Sequence, residues 1–359
     1  MRVLLSTLEY PPHQGGVANY YYNLKKNWPE HDNFLVINNN DNSLLYKKAL
    51  HLRWLKSIFS IYSDYKKRKA NYLLVGQILP LGSSALVLKM LFNIDYGLII
   101  HGMDFSYAIK TKRKRIITKM ILKRANHVIS ANTYTKDLIL SFLPKLKNKI
   151  SVVNPGVEVE RVDMKAVESL KKEYDLDNKI IIYSLGRLVK RKGFDSVIKA
   201  IDSLDKNIKD RLIYIISGSG KEEDNLKKQA QNKNFRIIFT GSISNDKKWS
   251  WLYLCDIFTM PSKNIQGDFE GFGIVFLEAA LCKAPAIGSL SGGIKDAIID
   301  NKSGFLVHEN DIKSLADKIT LLTNNKELRQ EMGDYAYKRA KNEFNWSKQA
   351  KLFYNILNK

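Results

Sequence analysis

Between Asp268 and Glu278 the chain reads DFEGFGIVFLE, where two carboxylates, Glu270 and Glu278, bracket two glycines and an apolar run. Gly271 and Gly273 carry no side chain, so the backbone there is able to come close to a ligand. A helix opening near Gly273 aims its unpaired N–H groups and positive dipole end at that ligand, which suits a phosphate. Glu278 lies about five residues into this helix, roughly 7 Å along the axis, and helical side chains lean back toward the amino terminus. It is therefore placed to accept hydrogen bonds from hydroxyls of the same ligand, such as a ribose. A phosphate beside carboxylates that hold a polyol describes a nucleotide sugar. Alone, the stretch also fits a capping loop with one inward-facing glutamate, so the rest of the chain has to decide.

Three more turns carry polar or glycine clusters. Residues 184–195 read SLGRLVKRKGFD, with Gly186, Arg187, Lys190, Arg191, Lys192 and Gly193 following an apolar run. A guanidinium and ammonium at the carboxyl end of a first strand suit a diphosphate, although such a cluster alone also fits a solvated basic loop. Residues 216–226, ISGSGKEEDNL, place Gly218 and Gly220 at a strand-to-helix turn. They resemble half of a dinucleotide fingerprint, but position 223 is Glu rather than Gly, which argues against NAD. The turn Phe239-Thr240-Gly241-Ser242-Ile243 offers backbone atoms to a base.

The elements that must position these turns are legible as alternating apolar runs and helical stretches. The chain opens strand, Gly15-Gly16 turn, helix, and strands are then expected at 34–37, 72–75, 98–100, 127–129 and 150–153. After Asn154-Pro155-Gly156 a polar segment reaching Asn178 reads as an interdomain linker. The alternation restarts at 180–185, 212–216, 237–239, 257–260 and 286–287, and the chain is helical from Asp311. Short apolar runs separated by helices imply parallel sheets with crossovers. The expectation is two α/β doubly wound domains with a ligand cleft between them: 1–158, with the helix 345–359 packing back on it, and 159–344.

Composition agrees with a globular protein too long for one core: 359 residues, 45% hydrophobic and 26% charged. Cys255 and Cys282 have no metal-ligand spacing, which points to a reduced, cytosolic compartment. No run approaches the ~20 apolar residues of a membrane span, and the opening is a strand rather than a signal peptide. Net charge is +22, and residues 1–160 hold 24 basic against 10 acidic side chains. This asymmetry implies an anionic partner, for which the choices are a membrane surface, nucleic acid or a phosphorylated acceptor.

The ordered set of Gly15-Gly16, HGMD at 101–104, GRLVKRKG, the SGSG turn and the two glutamates resembles the family-4 retaining glycosyltransferases of the GT-B fold, over essentially the whole chain. The form around Glu270 and Glu278 is most similar to bacterial phosphatidylinositol mannosyltransferases and surface-polysaccharide (O-antigen or lipopolysaccharide) transferases. The resemblance implies that Arg187 and Lys192 hold the donor diphosphate, Glu278 the ribose hydroxyls, and Glu270 a position near the transferred sugar. Backbone amides of Gly271, Phe272, Gly273 and Ile274 would contact sugar and phosphate. Gly15 and Gly16 would abut the diphosphate, Gly218, Ser242 and Ile243 would line the donor, and His101 would touch the sugar near its reacting carbon. Asn154-Pro155-Gly156 departs from the family's usual Pro-Asn-Gly order.

The implied reaction moves a hexose from GDP-mannose or a UDP-sugar to a lipid-linked or glycan acceptor, without metal or cofactor. Asp175-Leu-Asp177 carries the only Asp-x-Asp spacing and falls in the expected linker. Charge on the departing diphosphate would be met by Arg187, Lys192 and the helix N-terminus. Residues 44–69 interleave Leu52, Trp54, Leu55, Ile58, Phe59 and Tyr62 with cations, and Lys110–Arg124 forms a second basic block. Either suits a peripheral place on the inner face of a membrane, while the first also suits packing on the sheet. A GT-B nucleotide-sugar epimerase shares the fold; a nucleic-acid-binding protein would use the charge but leave both glutamates idle.

Overall fold

The computed structural model describes residues 1–13, 15–46, 53–158 and 162–358. The chain separates into two compact units, Met1–Gly156 with Asn345–Lys359, and Val157–Phe344.

The first unit runs β1 (Val3–Ser6), α1 (Gly16–Lys26), β2 (Phe34–Ile37), α2 (Leu55–Lys67), β3 (Tyr72–Val75), α3 (Leu81–Phe92), β4 (Tyr96–Ile100), α4 (Met103–Ala108), α5 (Lys112–Arg124), β5 (His127–Ser130), α6 (Thr133–Phe142) and β6 (Ile150–Val152). Its sheet is parallel, in the order β2-β1-β3-β4-β5-β6. Strands such as YLLV and YGLII are buried along their whole length, as a sheet covered on both faces requires. Period-2 alternation sorts their side chains. Leu73 and Val75 join a core with Ile61, Leu88 and Ile121 of α2, α3 and α5. Tyr72 and Leu74 join a second core with Tyr20, Tyr21 and Trp28.

The second unit runs α7 (Met164–Glu173), β7 (Ile180–Leu185), α8 (Phe194–Asp202), α9 (Lys206–Lys209), β8 (Leu212–Ser217), α10 (Glu223–Ala230), β9 (Arg236–Gly241), α11 (Asn245–Leu254), β10 (Ile257–Met260), α12 (Ile274–Leu281), β11 (Ala286–Ser289), α13 (Ile294–Ala297), β12 (Gly304–Val307), α14 (Ile312–Asn324) and α15 (Lys326–Glu343). Its parallel sheet has the order β12-β11-β10-β7-β8-β9. Helix α16 (Trp346–Leu357) then returns to the first unit, where Trp346, Ala350, Phe353 and Leu357 complete the second core.

Three expectations change. The segment up to Asn178 is not a linker: α7 starts on an Asp163 cap, and Val167, Leu170 and Leu176 are buried in the core of the second unit beside Trp249 and Trp251. Asp175 and Asp177 are exposed on either side of buried Leu176. β12 is a strand the apolar pattern did not reveal. Of residues 44–69, 47–52 lie outside the described residues. In α2, Ile61 is buried while Ile58, Tyr62 and Tyr65 pack on the core, so this helix spends its apolar face inward; Phe59 alone is 71% exposed among its large apolar side chains. No helix among the described residues is long and apolar enough to cross a membrane.

Candidate functional site

Strands leave β7 in one direction through β8 and β9, and the chain reverses to place β10, β11 and β12 on the other side. At such a switch point the loops at the carboxyl ends of the strands diverge, and open parallel sheets bind ligands there. The two loops that border it are 186–193, after β7, and 261–273, after β10.

The turns after β7, β8 and β9 are knitted by their main chains. Gly186 N–H donates to Ser217 O (3.1 Å), Leu188 N–H to Ser219 O (2.9 Å) and Gly218 N–H to Gly241 O (2.8 Å). Ser242 Oγ donates to Ser219 Oγ at 2.8 Å. Only glycine fits at 218, where φ is +134° and a Cβ would stand 1.9 Å from Gly186 O.

Lys192 reaches the switch point from a short 3₁₀ turn. Its Nζ donates to Glu270 Oε2 at 2.6 Å and lies 3.4 Å from Met260 Sδ at the end of β10. A Cβ on Gly186 would sit 3.6 Å from this nitrogen, so the ammonium lies along the backbone beside Arg187. An ammonium has three protons to donate, and one of them remains for an incoming anion. Arg191 is buried, and its Nη1 donates to the same Glu270 oxygen at 2.7 Å while its Nε lies 2.8 Å from Asp268 Oδ1. Burial by itself pushes the Glu270 carboxyl up, but the Lys192 and Arg191 charges and hydrogen bonds outweigh it and hold the group below the usual carboxylate range. Arg187 is exposed, and its guanidinium has no carboxylate partner among the described residues.

Gly273, with φ +77°, is the N-cap of α12, and no side chain caps that end. The Phe272 ring is buried, 5.9 Å from the Phe344 ring, so only its main chain is offered outward. Gly293 N–H holds the loop by donating to Glu270 O at 3.0 Å. Glu278, the fifth residue of α12, accepts from Lys248 Nζ of α11 at 2.8 Å through Oε1. Its Oε2 has no partner among the described residues.

In the first unit the switch point falls between β1 and β3. Tyr21 of α1 crosses toward it, donating its hydroxyl proton to Gly76 O at 2.5 Å. His101 follows β4, and its Nε2 lies 2.9 Å from the Tyr21 oxygen. A carbonyl only accepts, so the single Tyr21 proton is committed to Gly76, and toward His101 the oxygen must accept. Nε2 therefore carries the imidazole proton and Nδ1 presents a lone pair. Tyr20 meets the same ring edge-on at 4.9 Å. Burial depresses the imidazole to about 4, so the ring is neutral. Asp104 Oδ1 accepts from His101 N at 3.1 Å and from Gly102 N at 2.9 Å, while its buried Oδ2 has no partner. Burial raises this carboxyl to about 6, against the lowering effect of its backbone hydrogen bonds. At Gly15 and Gly16, which open α1, an added Cβ would meet nothing within 4 Å. Packing does not demand glycine there.

Residues 167–339 match the family of glycosyl transferases group 1. A GDP-mannose-dependent monoacylated alpha-(1-6)-phosphatidylinositol monomannoside mannosyltransferase of Corynebacterium glutamicum is 25% identical over 99% of this chain and 97% of its own length. An uncharacterized glycosyltransferase of Methanocaldococcus jannaschii is 29% identical over 75% of this chain and 68% of its own. The second unit carries the match to the group 1 family, and the chain is a glycosyltransferase. Its two parallel six-stranded sheets are the GT-B fold, shared with HepE of Anabaena in complex with UDP, at a TM-score of 0.83 and 15% identity over all of both chains. The glycosyltransferase WaaG gives 0.69 at 16% identity over 99% of this chain and all of its own.

Of the residues expected from the sequence of this glycosyltransferase, the structure gathers Lys192, Glu270 and Gly218 around the β7 loop, with Arg187 on the same loop and Ser242 and Ile243 in the adjoining turn. Glu278 is set apart from Glu270 by its own cation, Lys248. Sequence reasoning lists Arg191 in the basic cluster and Asp104 within HGMD but gives neither a role, and it does not single out Lys248 or Tyr21. The Tyr20-Tyr21-Tyr22 run fits an ordinary amphipathic helix, and Lys248 carries no local signal. Among the described residues there is no group of three or more His, Cys, Asp or Glu side chains suited to a metal ion.

Proposed function

We propose that this glycosyltransferase moves a hexose, with retention of anomeric configuration, from a GDP- or UDP-linked donor to a lipid-linked or polysaccharide acceptor in cell-surface glycan assembly. The observation that carries the reading is the Lys192 ammonium at the sheet's switch point, held against Gly186 and Glu270 with a donor to spare. Relatives named as GDP-mannose-dependent mannosyltransferases and a structural neighbour in complex with UDP-glucose support a nucleotide-sugar donor and leave the base open.

Each residue then has a task its surroundings suit. Arg187 and Lys192 neutralise the diphosphate, whose charge grows as the glycosidic bond breaks, so their attraction is greater in the transition state. Main-chain N–H groups of Gly271, Phe272, Gly273 and Ile274, at the uncapped start of α12, complete that cradle. These fixed positive groups do the work a metal would otherwise do. Glu278 offers Oε2 to the ribose hydroxyls while Lys248 keeps Oε1. Gly218, Ser242 and Ile243 face the donor through backbone atoms, and Gly15 and Gly16 leave room for the diphosphate. Glu270, kept ionised by Lys192 and Arg191, fixes sugar hydroxyls. His101 accepts a hydroxyl proton in a hydrogen bond through Nδ1; with the ring depressed to about 4 it orients the sugar and takes no proton itself. Attack comes from the acceptor hydroxyl on the face the diphosphate leaves, and the leaving phosphate oxygen receives its proton. The enzyme works at the inner face of the cell membrane, where a lipid-linked acceptor is presented.

Thermal unfolding with a panel of nucleoside diphosphates and their sugars, in the presence of a chelator, tests this. GDP or UDP raises Tm, and one sugar conjugate raises it further. Stabilisation by NAD or an oligonucleotide and by none of the panel refutes the assignment.

A further inference from the structure

The short turn Lys190–Lys192 serves two places in the second unit. Lys192 meets Glu270 at the switch point of the sheet. Lys190 instead lines a cleft of about 540 Å³ between the loop after β7, helices α8 and α10, and the segment 263–265. None of the residues expected to hold the donor lines this cleft. Its volume is that of a site for a small organic ligand.

The lining asks for three kinds of group in one molecule. Lys190 and Lys228 are exposed and have no carboxylate partner among the described residues, so they suit an anion. Lys263 is already taken, with its Nζ 3.1 and 3.2 Å from the Asp195 oxygens. Glu222 has no cation among the described residues; its Oε2 accepts from Asn225 Nδ2 at 3.2 Å, which leaves Oε1 for a hydroxyl. Gln229 Oε1 is buried and has no hydrogen-bond partner among the described residues, and a hydroxyl meets that demand too. Val189, Phe194 and Leu226 supply an apolar surface for the C–H face of a sugar ring. Phosphate, hydroxyls and an apolar ring face occur together in a sugar phosphate.

The cleft wall is tied to the donor-site residues. Lys263 N–H donates to Arg191 O at 2.7 Å, and Ile265 and Asp268 exchange main-chain hydrogen bonds of 3.0 Å. Asp268 Oδ1 lies 2.8 Å from Arg191 Nε, and Arg191 shares Glu270 Oε2 with Lys192. Gly193 ends the turn at φ +74°, where a Cβ would stand 2.2 Å from Pro261 O, so the loops after β7 and β10 touch and move as one. We propose that the cleft is an effector site for a sugar phosphate, whose binding steadies the Lys190–Lys192 turn and thereby tightens the donor site. The inference rests on the reading of Lys192 and Glu270 as donor-site residues.

Titration calorimetry of the full chain with glucose 6-phosphate, mannose 6-phosphate and mannose 1-phosphate tests this. At least one of them binds, while inorganic phosphate and glucose, which each offer part of the contacts, bind about tenfold more weakly or worse. Lys190→Gln with Lys228→Gln weakens the sugar phosphate by at least about tenfold. Both side chains are exposed, and an unchanged Tm confirms that the variant is folded. A saturating sugar phosphate lowers the Kd of GDP or UDP by at least about fivefold, and the nucleotide lowers the sugar phosphate's Kd by the same factor. Absence of binding by all three, undiminished binding by the double variant, or a nucleotide Kd that does not change overturns the proposal. So does equal binding of inorganic phosphate, which marks a bare anion patch, or competitive displacement by GDP or UDP, which puts the sugar phosphate in the donor cradle. A chain that binds a sugar phosphate but neither nucleotide overturns the donor reading and the coupling with it. One that binds a nucleotide but no sugar phosphate overturns the effector site alone.

Discussion

Asp104→Asn isolates the electrostatics around His101. The amide oxygen of Asn can accept from His101 N and Gly102 N as Asp104 Oδ1 does, so the turn is kept and only the buried charge goes. Asp104 is raised from 3.8 to about 6, chiefly by burial. The folded state therefore holds its proton more tightly, and stability falls as pH rises from about 4 to 6. His101 is lowered from 6.5 to about 4, again by burial. There the unfolded state holds the proton more tightly, and stability rises as pH climbs from about 4 to 6.5. Each shift exceeds two units, or about 3 kcal/mol. In the parent the two gradients oppose one another across the same window. In Asp104→Asn only the histidine's remains, so the variant's stability relative to the parent should grow by about 3 kcal/mol between pH 4 and 6 and then level off. Urea unfolding of both proteins at half-unit pH steps measures this directly. A difference that stays constant across the window refutes the burial of Asp104 as a charge.

Lys192→Ala should lower kcat more than it raises the donor KM, because its proposed partner charge grows in the transition state; normal turnover would remove the leaving-group role. The same variant leaves Glu270 with Arg191 alone and should cost about 2–3 kcal/mol at neutral pH, below the cost of fully breaking a buried pair. The depressed Glu270 carboxyl stabilises the parent above its unfolded value near 4.5, and that contribution is lost as pH falls through the folded value. Lys192→Ala should flatten this acid limb, seen in unfolding below pH 5. Tyr21→Phe should unlock the His101 ring: ¹⁵N shifts report an Nε2–H tautomer in the parent and exchange between tautomers in the variant. An Nδ1–H tautomer in the parent contradicts the hydrogen-bond chain through Gly76.

The strands were legible because a sheet buried on both faces writes itself as continuous apolar runs, as in Ile180–Leu185 and Leu212–Ser217. β12 was not: Gly304–Val307 is four residues long and lies at the sheet's edge against β11. α7 was taken for linker because, of its ten residues, only Val167 and Leu170 are buried. The same logic divides the site. Gly186–Gly193 and Glu270–Glu278 are local patterns and could be read. Lys192 and Glu270 lie 78 residues apart, Lys248 and Glu278 30, Tyr21 and His101 80. Nothing along the chain says which of many lysines or tyrosines the fold will carry to which carboxylate or ring.

Helix α16 has a consequence for how this protein is made. The face of the first sheet that bears Tyr20, Tyr21 and Trp28 is closed by Trp346 and Phe353. Gly156, the last residue of the first unit before the chain departs, has no Cβ to clash with the Trp346 ring; one there would stand 2.6 Å from it. The ribosome adds the residues from Gly156 to Asn345, a difference of 189, before that cover exists. At roughly 5–20 residues per second the interval is on the order of 10–40 s. For that time the nascent amino-terminal unit lacks the cover of its aromatic face, while the second unit, continuous in sequence, has everything it needs. The usual order of synthesis is thus inverted: the segment made first is the last to be finished, and holding chaperones have their longest opportunity there.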